Sequence, residues 1–241
     1  MTPYATIAPV PRGRNAARAR PSGSRMFAAA VLVGALGLYG GLARSADSAA
    51  PPAGAYKLDP AHASLVLRAS HMGLSTYTTR FSRFDSQLTF DPRNIPASKM
   101  VTTIDASSFQ MDAAPQMCLD IMKGPQMLDT AKFPQILYKS ERVRMTGPKS
   151  MEISGTLTLH GVTRPVVLAA VYNAGYSGIP GMEPQARVGF SAHGSFKRSD
   201  FGIAYGVPAP GTTVGVGDLI DFSIEAEFTG PPLAAAPKAA H

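Results

Sequence analysis

The sequence predicts an all-β domain, and three observations carry the prediction. Long runs alternate apolar and polar residues with period 2, the mark of a strand with one buried face. Gly, Pro and Asn separate these runs at short intervals, as turns require. Only residues 113–128 leave the pattern: Met117, Ile121, Met122, Met127 and Leu128 suit a short amphipathic helix broken near Gly124-Pro125. Eight or nine antiparallel strands with one helix fold as a sandwich or a closed barrel. Runs of ten or more residues with an apolar inner face favour a barrel around an apolar cavity, because sandwich strands are usually shorter.

In chain order, Tyr56-Lys57-Leu58 opens the domain, and Leu65, Leu67 and Ala69 share one face of the next run, which His71 ends on that face. Residues 77–90 read as one long strand with Phe84, Leu88 and Phe90 in phase, stopped by Asp91-Pro92-Arg93-Asn94. A short Thr-rich strand spans 100–105. Residues 135–145 and 151–159 form a hairpin around Thr146-Gly147-Pro148-Lys149, with Met151, Ile153, Leu157 and Leu159 on one face of the second arm. His160-Gly161 makes the next turn, since Gly takes the positive φ a hairpin needs, and Pro165 marks where the following strand begins. Residues 166–172 are apolar on both faces, so their inner face is not assigned by pattern. Strands at 187–197 and 218–228 complete the set; in the last, Ile220, Phe222, Ile224, Ala226 and Phe228 oppose Asp221, Ser223, Glu225 and Glu227.

The formal charge of +7 lies mostly outside this domain. Residues 56–230 hold 16 Lys and Arg against 15 Asp and Glu, so the folded part is nearly neutral and no nucleic-acid surface is indicated. Arginines at 12, 14, 18, 20 and 25 precede an uncharged apolar run at 26–43, followed by small residues. That order predicts a secretory signal peptide over 1–46 and an exported protein. The alternative is an uncleaved anchor, because 18 residues just span a bilayer. An Ala/Pro/Ser/Gly linker at 47–55 and a similar tail at 231–241 are expected to be disordered. The lone Cys118 has no disulfide partner within the chain and reads as a small apolar residue.

Five motifs occur together: Leu58-Asp59-Pro60-Ala61-His62, Ser70-His71-Met72-Gly73-Leu74-Ser75, Leu128-Asp129-Thr130-Ala131-Lys132-Phe133-Pro134, the stretch from Gly155 through Leu159-His160-Gly161 to Pro165, and Lys197-Arg198-Ser199-Asp200-Phe201-Gly202. In order and spacing they resemble the YceI-like family across the whole domain. The resemblance implies a lipocalin-like antiparallel β-barrel of about eight strands, exported to the periplasm, holding a polyisoprenoid, isoprenoid quinone or fatty amide or acid. No chemistry is implied for the family. The chain departs from the family pattern at Tyr56, where Trp is common, and at Thr79, where Gly often precedes Arg-Phe.

The predicted ligand contacts are wall residues Phe84, Leu88, Phe90, Ile153, Leu157, Phe190, Phe222 and Ile224, with His71 and Arg198 at the mouth. Arg198 offers a planar fork of donors to a phosphate or carbonyl head group; the competing reading pairs it with Asp200 to fasten a loop. His62, His71, His160 and His193 lack metal-ligand spacing, and His160 reads as a structural turn residue. Gly189-Phe190-Ser191-Ala192-His193 lacks the final glycine of a nucleophile elbow and reads as a strand. No cofactor or metal is expected. The reading is a carrier without catalysis. Its alternatives are an enzyme acting on a lipid in the barrel, with His71 as acid or base, or a quinone-carrying accessory to a membrane redox partner. Monomer and homodimer both fit the sequence.

Overall fold

The alternating runs form strands, though not one for one. The computed structural model describes residues 49–233, so the expected signal segment and most of the tail lie outside the described residues. The strands are β1 (Gly54–His71), β2 (Ser75–Phe81), β3 (Phe84–Phe90), β4 (Lys99–Asp105), β5 (Phe109–Met111), β6 (Gln135–Met145), β7 (Ser150–Leu159), β8 (Val162–Tyr176), β9 (Gln185–Lys197) and β10 (Val216–Pro232). Helix α1 (Gln116–Lys123) lies between β5 and β6. Every strand pairing is antiparallel, and the order β10-β9-β8-β7-β6-β4-β3-β1 closes through a β1–β10 ladder. The result is an eight-stave barrel in which β2 and β5 continue β3 and β4 past a kink.

The expected continuous strand at 77–90 is therefore two. It breaks at Ser82-Arg83, where Ser82 N donates to Ser108 O (3.2 Å) and Arg83 N to Ser108 Oγ (3.1 Å) instead of to a neighbouring strand. β1 bends at the matching level: against β10 its register jumps between Leu58 and Ala63, so Asp59-Pro60-Ala61-His62 forms a bulge. Before the bulge β1 pairs with β3, and after it with β2. Arg187 pins the bulge. Its Nη1 donates to Asp59 Oδ2 (2.6 Å) and Glu227 Oε2 (3.3 Å), and its Nε to Glu183 Oε2 (3.0 Å). The hydrogen bond from Arg187, and then that from His62, hold the Asp59 carboxyl at about 2, below its usual 3.8. The first of the five motifs is thus a fastener of the barrel seam.

β8 begins at Val162, before the expected start near Pro165. His160 (φ 52°) and Gly161 (φ 76°) make a two-residue turn with both φ positive, which pairs Leu159 with Val162. Three residues further on, Pro165 faces Thr156 in a pair that exchanges no ladder bond, so its missing N–H points away from β7. β9 joins β8 only from Ala169 onward, so no partner is deprived. Strand order also extends two residues into each expected disordered flank, to Gly54 and to Pro232. Ala49 O accepts from Ser177 N (2.8 Å), and Leu233 N donates to Pro184 O (2.8 Å).

Candidate functional site

The barrel encloses a cavity of about 700 Å³ whose wall is almost entirely apolar. At one end the β3–β4, β6–β7 and β8–β9 connections meet, and aromatic rings fill the lumen. Phe90, 1% exposed, lies 5.9 Å from Tyr56, 5.6 Å from Tyr172 and 5.7 Å from Phe190, while Phe190 reaches Phe228 at 6.1 Å. Burial, then the neighbouring Tyr172, pushes the Tyr56 phenol up to about 12, and its hydroxyl donates to Pro52 O (2.6 Å). At the other end the wall residues His71, Ala113, Pro115, Ile121, Tyr205 and Gly206 are exposed. The cavity opens there, between the β1–β2 turn, α1 and the 202–217 loop.

All ten residues singled out from the sequence lie on the cavity wall. Phe84, Leu88, Phe90, Ile153, Leu157, Phe190, Phe222 and Ile224 project from β3, β7, β9 and β10 because alternation sends every second side chain inward. Phe90 belongs to the aromatic plug, whereas Leu157 and Phe222 belong to the larger core cluster beside the open part of the lumen. His71 stands exposed at the mouth, its ring 6.3 Å from Tyr77.

Arg198 fastens the loop, as the competing reading has it, but through backbone carbonyls and not through Asp200. It is 3% exposed and donates to four backbone carbonyls: Nε to Gly217 (3.1 Å), Nη1 to Ile203 (3.2 Å) and Tyr205 (2.7 Å), and Nη2 to Val216 (2.7 Å). Asp200 is not its partner. These bonds tie both stems of the 202–217 loop to one guanidinium, which makes Arg198 the clamp of the mouth. Burial lowers its pKa, and Asp218 opposes the shift.

Alternation also marked Leu65, Leu67, Met151 and Leu159 on the wall, but it could not find every part of it. On β8, apolar on both faces, Val166, Leu168 and Ala170 point inward, while Val167 (47%) and Val171 (39%) are exposed. Tyr138 lines the wall with its hydroxyl 3.1 Å from Ile153 O, and burial, then Glu141, raises its pKa. Gly155 lies against the Lys139 carbonyl and this ring: a Cβ there would clash with Lys139 O and lie 2.7 Å from the Tyr138 hydroxyl. Met111 and Met127, with Cys118 and Met122 of α1, complete the wall.

The four histidines among the described residues do not converge. His62 lies in the Asp59 cluster, His193 is exposed on β9, and His160 sets its Nδ1 3.3 Å from Phe201 O and its ring against Phe133 at 5.0 Å. Asp59, His62 and Glu227 bring ligand-type atoms within 4.8 Å of one another, but Arg187 already donates to both carboxylates.

A model of the YceI-like domain matches residues 56–228. The chain belongs to the YceI-like family. Among its YceI-like relatives, a UPF0312 protein of Pseudomonas savastanoi is 32% identical over 201 residues, 82% of this chain and 94% of the relative. A UPF0312 protein of Vibrio cholerae is 34% identical over 145 residues, 59% of this chain and 73% of the relative. The solved structure of Burkholderia cenocepacia BcnA superposes with a TM-score of 0.60 at 21% identity, covering 70% of this chain and 98% of that one. A polyisoprenoid binding domain from Saccharophagus degradans superposes with a TM-score of 0.52 at 14% identity, covering 73% and 98%. These structures confirm the closed YceI-like barrel.

Proposed function

We propose that this YceI-like protein is an exported carrier that holds a long-chain apolar ligand, a polyisoprenoid, isoprenoid quinone or fatty amide or acid, without transforming it. The cavity carries the reading: about 700 Å³ of apolar space inside a closed barrel, open at one end. That volume falls in the range of small-molecule pockets, ~300–1,000 Å³. Each methylene moved from water to such a wall gains ~0.8 kcal/mol, so a long chain binds without polar contacts. The neighbour described as a polyisoprenoid binding domain supports the same class of ligand. The basic-then-apolar segment before the barrel supports export to the periplasm.

Organic extraction of the purified protein, followed by mass spectrometry, tests the reading. An isoprenoid or acyl compound in stoichiometric amount is expected. A protein that yields none and fails to take up added isoprenoid would overturn the carrier function.

A further inference from the structure

We infer that the open end docks on a lipid bilayer, seating the cavity mouth against the membrane surface. Seven of the twelve large apolar side chains exposed among the described residues gather at this end of the barrel: Met72, Leu74, Met117, Ile121, Tyr205, Val214 and Leu219. Leu74 is 86% exposed, Val214 69% and Met117 68%. The backbone fixes two of the carrying segments side by side. Met72 N donates to Gly215 O (2.8 Å) and Val216 N to Gly206 O (2.9 Å), while a Cβ on Gly73 would meet Thr213 at 2.9 Å. Leu74, Tyr205 and Val214 therefore form one surface, and Met117 and Ile121 flank the mouth from α1.

Two features favour a bilayer over a protein partner. Residues 202–217 contain no Asp, Glu, Lys, Arg or His. Protein interfaces draw register and specificity from charged and polar groups at the rim, and this loop has no charge to offer. A bilayer interface asks only for apolar side chains and an aromatic with a polar tip, as Leu74, Val214 and Tyr205 provide. In addition, the exposed surface is continuous with the lumen, because Ile121 and Tyr205 are at once exposed and part of the cavity wall. A chain leaving a seated bilayer enters the barrel without crossing water. The proposal builds on the carrier function but is read out separately from it.

The chain has no tryptophan, so Leu74→Trp places a single reporter on the rim and Val167→Trp a control on the barrel wall. Both full-length variants are mixed with phosphatidylethanolamine/phosphatidylglycerol vesicles, with and without bromines on the acyl chains. Leu74→Trp is expected to shift to the blue and to be quenched by brominated lipid, while Val167→Trp does neither; adding Val214→Glu to Leu74→Trp should abolish both signals. Because only the rim position is read, an apolar N-terminal segment inserted in the vesicle cannot imitate the result. Unchanged Leu74→Trp emission overturns the proposal, as does a blue shift that appears without vesicles and grows with protein concentration, which would mean that a second copy covers the rim. Extracts of the Val214→Glu variant should still contain the bound lipid. An empty wild-type extract refutes the carrier function, whereas loss of the vesicle signal with lipid present refutes only the docking.

Discussion

At one end of the barrel five aromatic rings, Tyr56, Phe90, Tyr172, Phe190 and Phe228, interlock inside the lumen; at the other, sixteen uncharged residues loop over a gap with Tyr205 as their only aromatic. The first end is held by side chains packed edge against face, the second by backbone groups converging on Arg198. Ring packing is rigid and leaves no path for a ligand. A loop held at its stems keeps its middle free of the core, as an exchange route requires. For the proposed carrier, the difference gives stability to the closed end and exchange to the open end.

The comparison can be broken by mutation, beginning with the plug. Phe90→Ala removes a ring that touches three others and is expected to cost about 3–5 kcal/mol in urea unfolding, with little change in ligand release rate. Arg198→Met leaves four carbonyls, one buried and three partly buried, without their donor and should cost about 2–4 kcal/mol. Unlike Phe90→Ala it should also speed release of a fluorescent isoprenoid analogue; equal release rates in the two variants would erase the distinction between the ends. At the seam, Asp59→Asn weakens the pinning by Arg187 and should cost about 1–2 kcal/mol near neutral pH. The folded carboxyl titrates at about 2 and the unfolded one near 3.8. Its contribution is therefore complete above pH ~4 and lost as the pH falls toward 2. Acid unfolding curves of the variant and the wild type should converge in that window. The smallest effect is expected at the mouth itself, where His71→Gln should shift stability by less than about 0.5 kcal/mol and leave the extracted lipid unchanged. Accumulation of unprocessed lipid in that variant alone would favour the enzymatic alternative.

Much of this was legible in local pattern. The alternation in β1, β3, β7 and β10 marked the inward faces, and the hairpin of β6 and β7 lies at its predicted bounds, give or take a residue. The failures share a cause, which is that the deciding partner is remote in sequence. Ser108 interrupts the strand at Ser82-Arg83 from 25 residues away, so nothing in 77–90 announces the break. The acceptors of Arg198 are backbone carbonyls, which carry no sequence signature, so a carboxylate nearby in sequence, Asp200, looked the better partner. The inner face of β8 is set by its neighbours β7 and β9, because its own residues are apolar on both sides.

The β1–β10 seam has a kinetic consequence. Thr229 Oγ1 donates to Lys57 O across 172 residues of chain, so the first strand waits for the last before the cylinder can shut. Until then β1 and β10 both present unpaired edges, and closing so long a loop delays the rewarding contacts. Without the β10–β1 ladder the strands form a curled open sheet with two free edges and its apolar inner face in water. Pairing of β10 with β1, rather than any local helix or hairpin, is thus the step that closes the barrel.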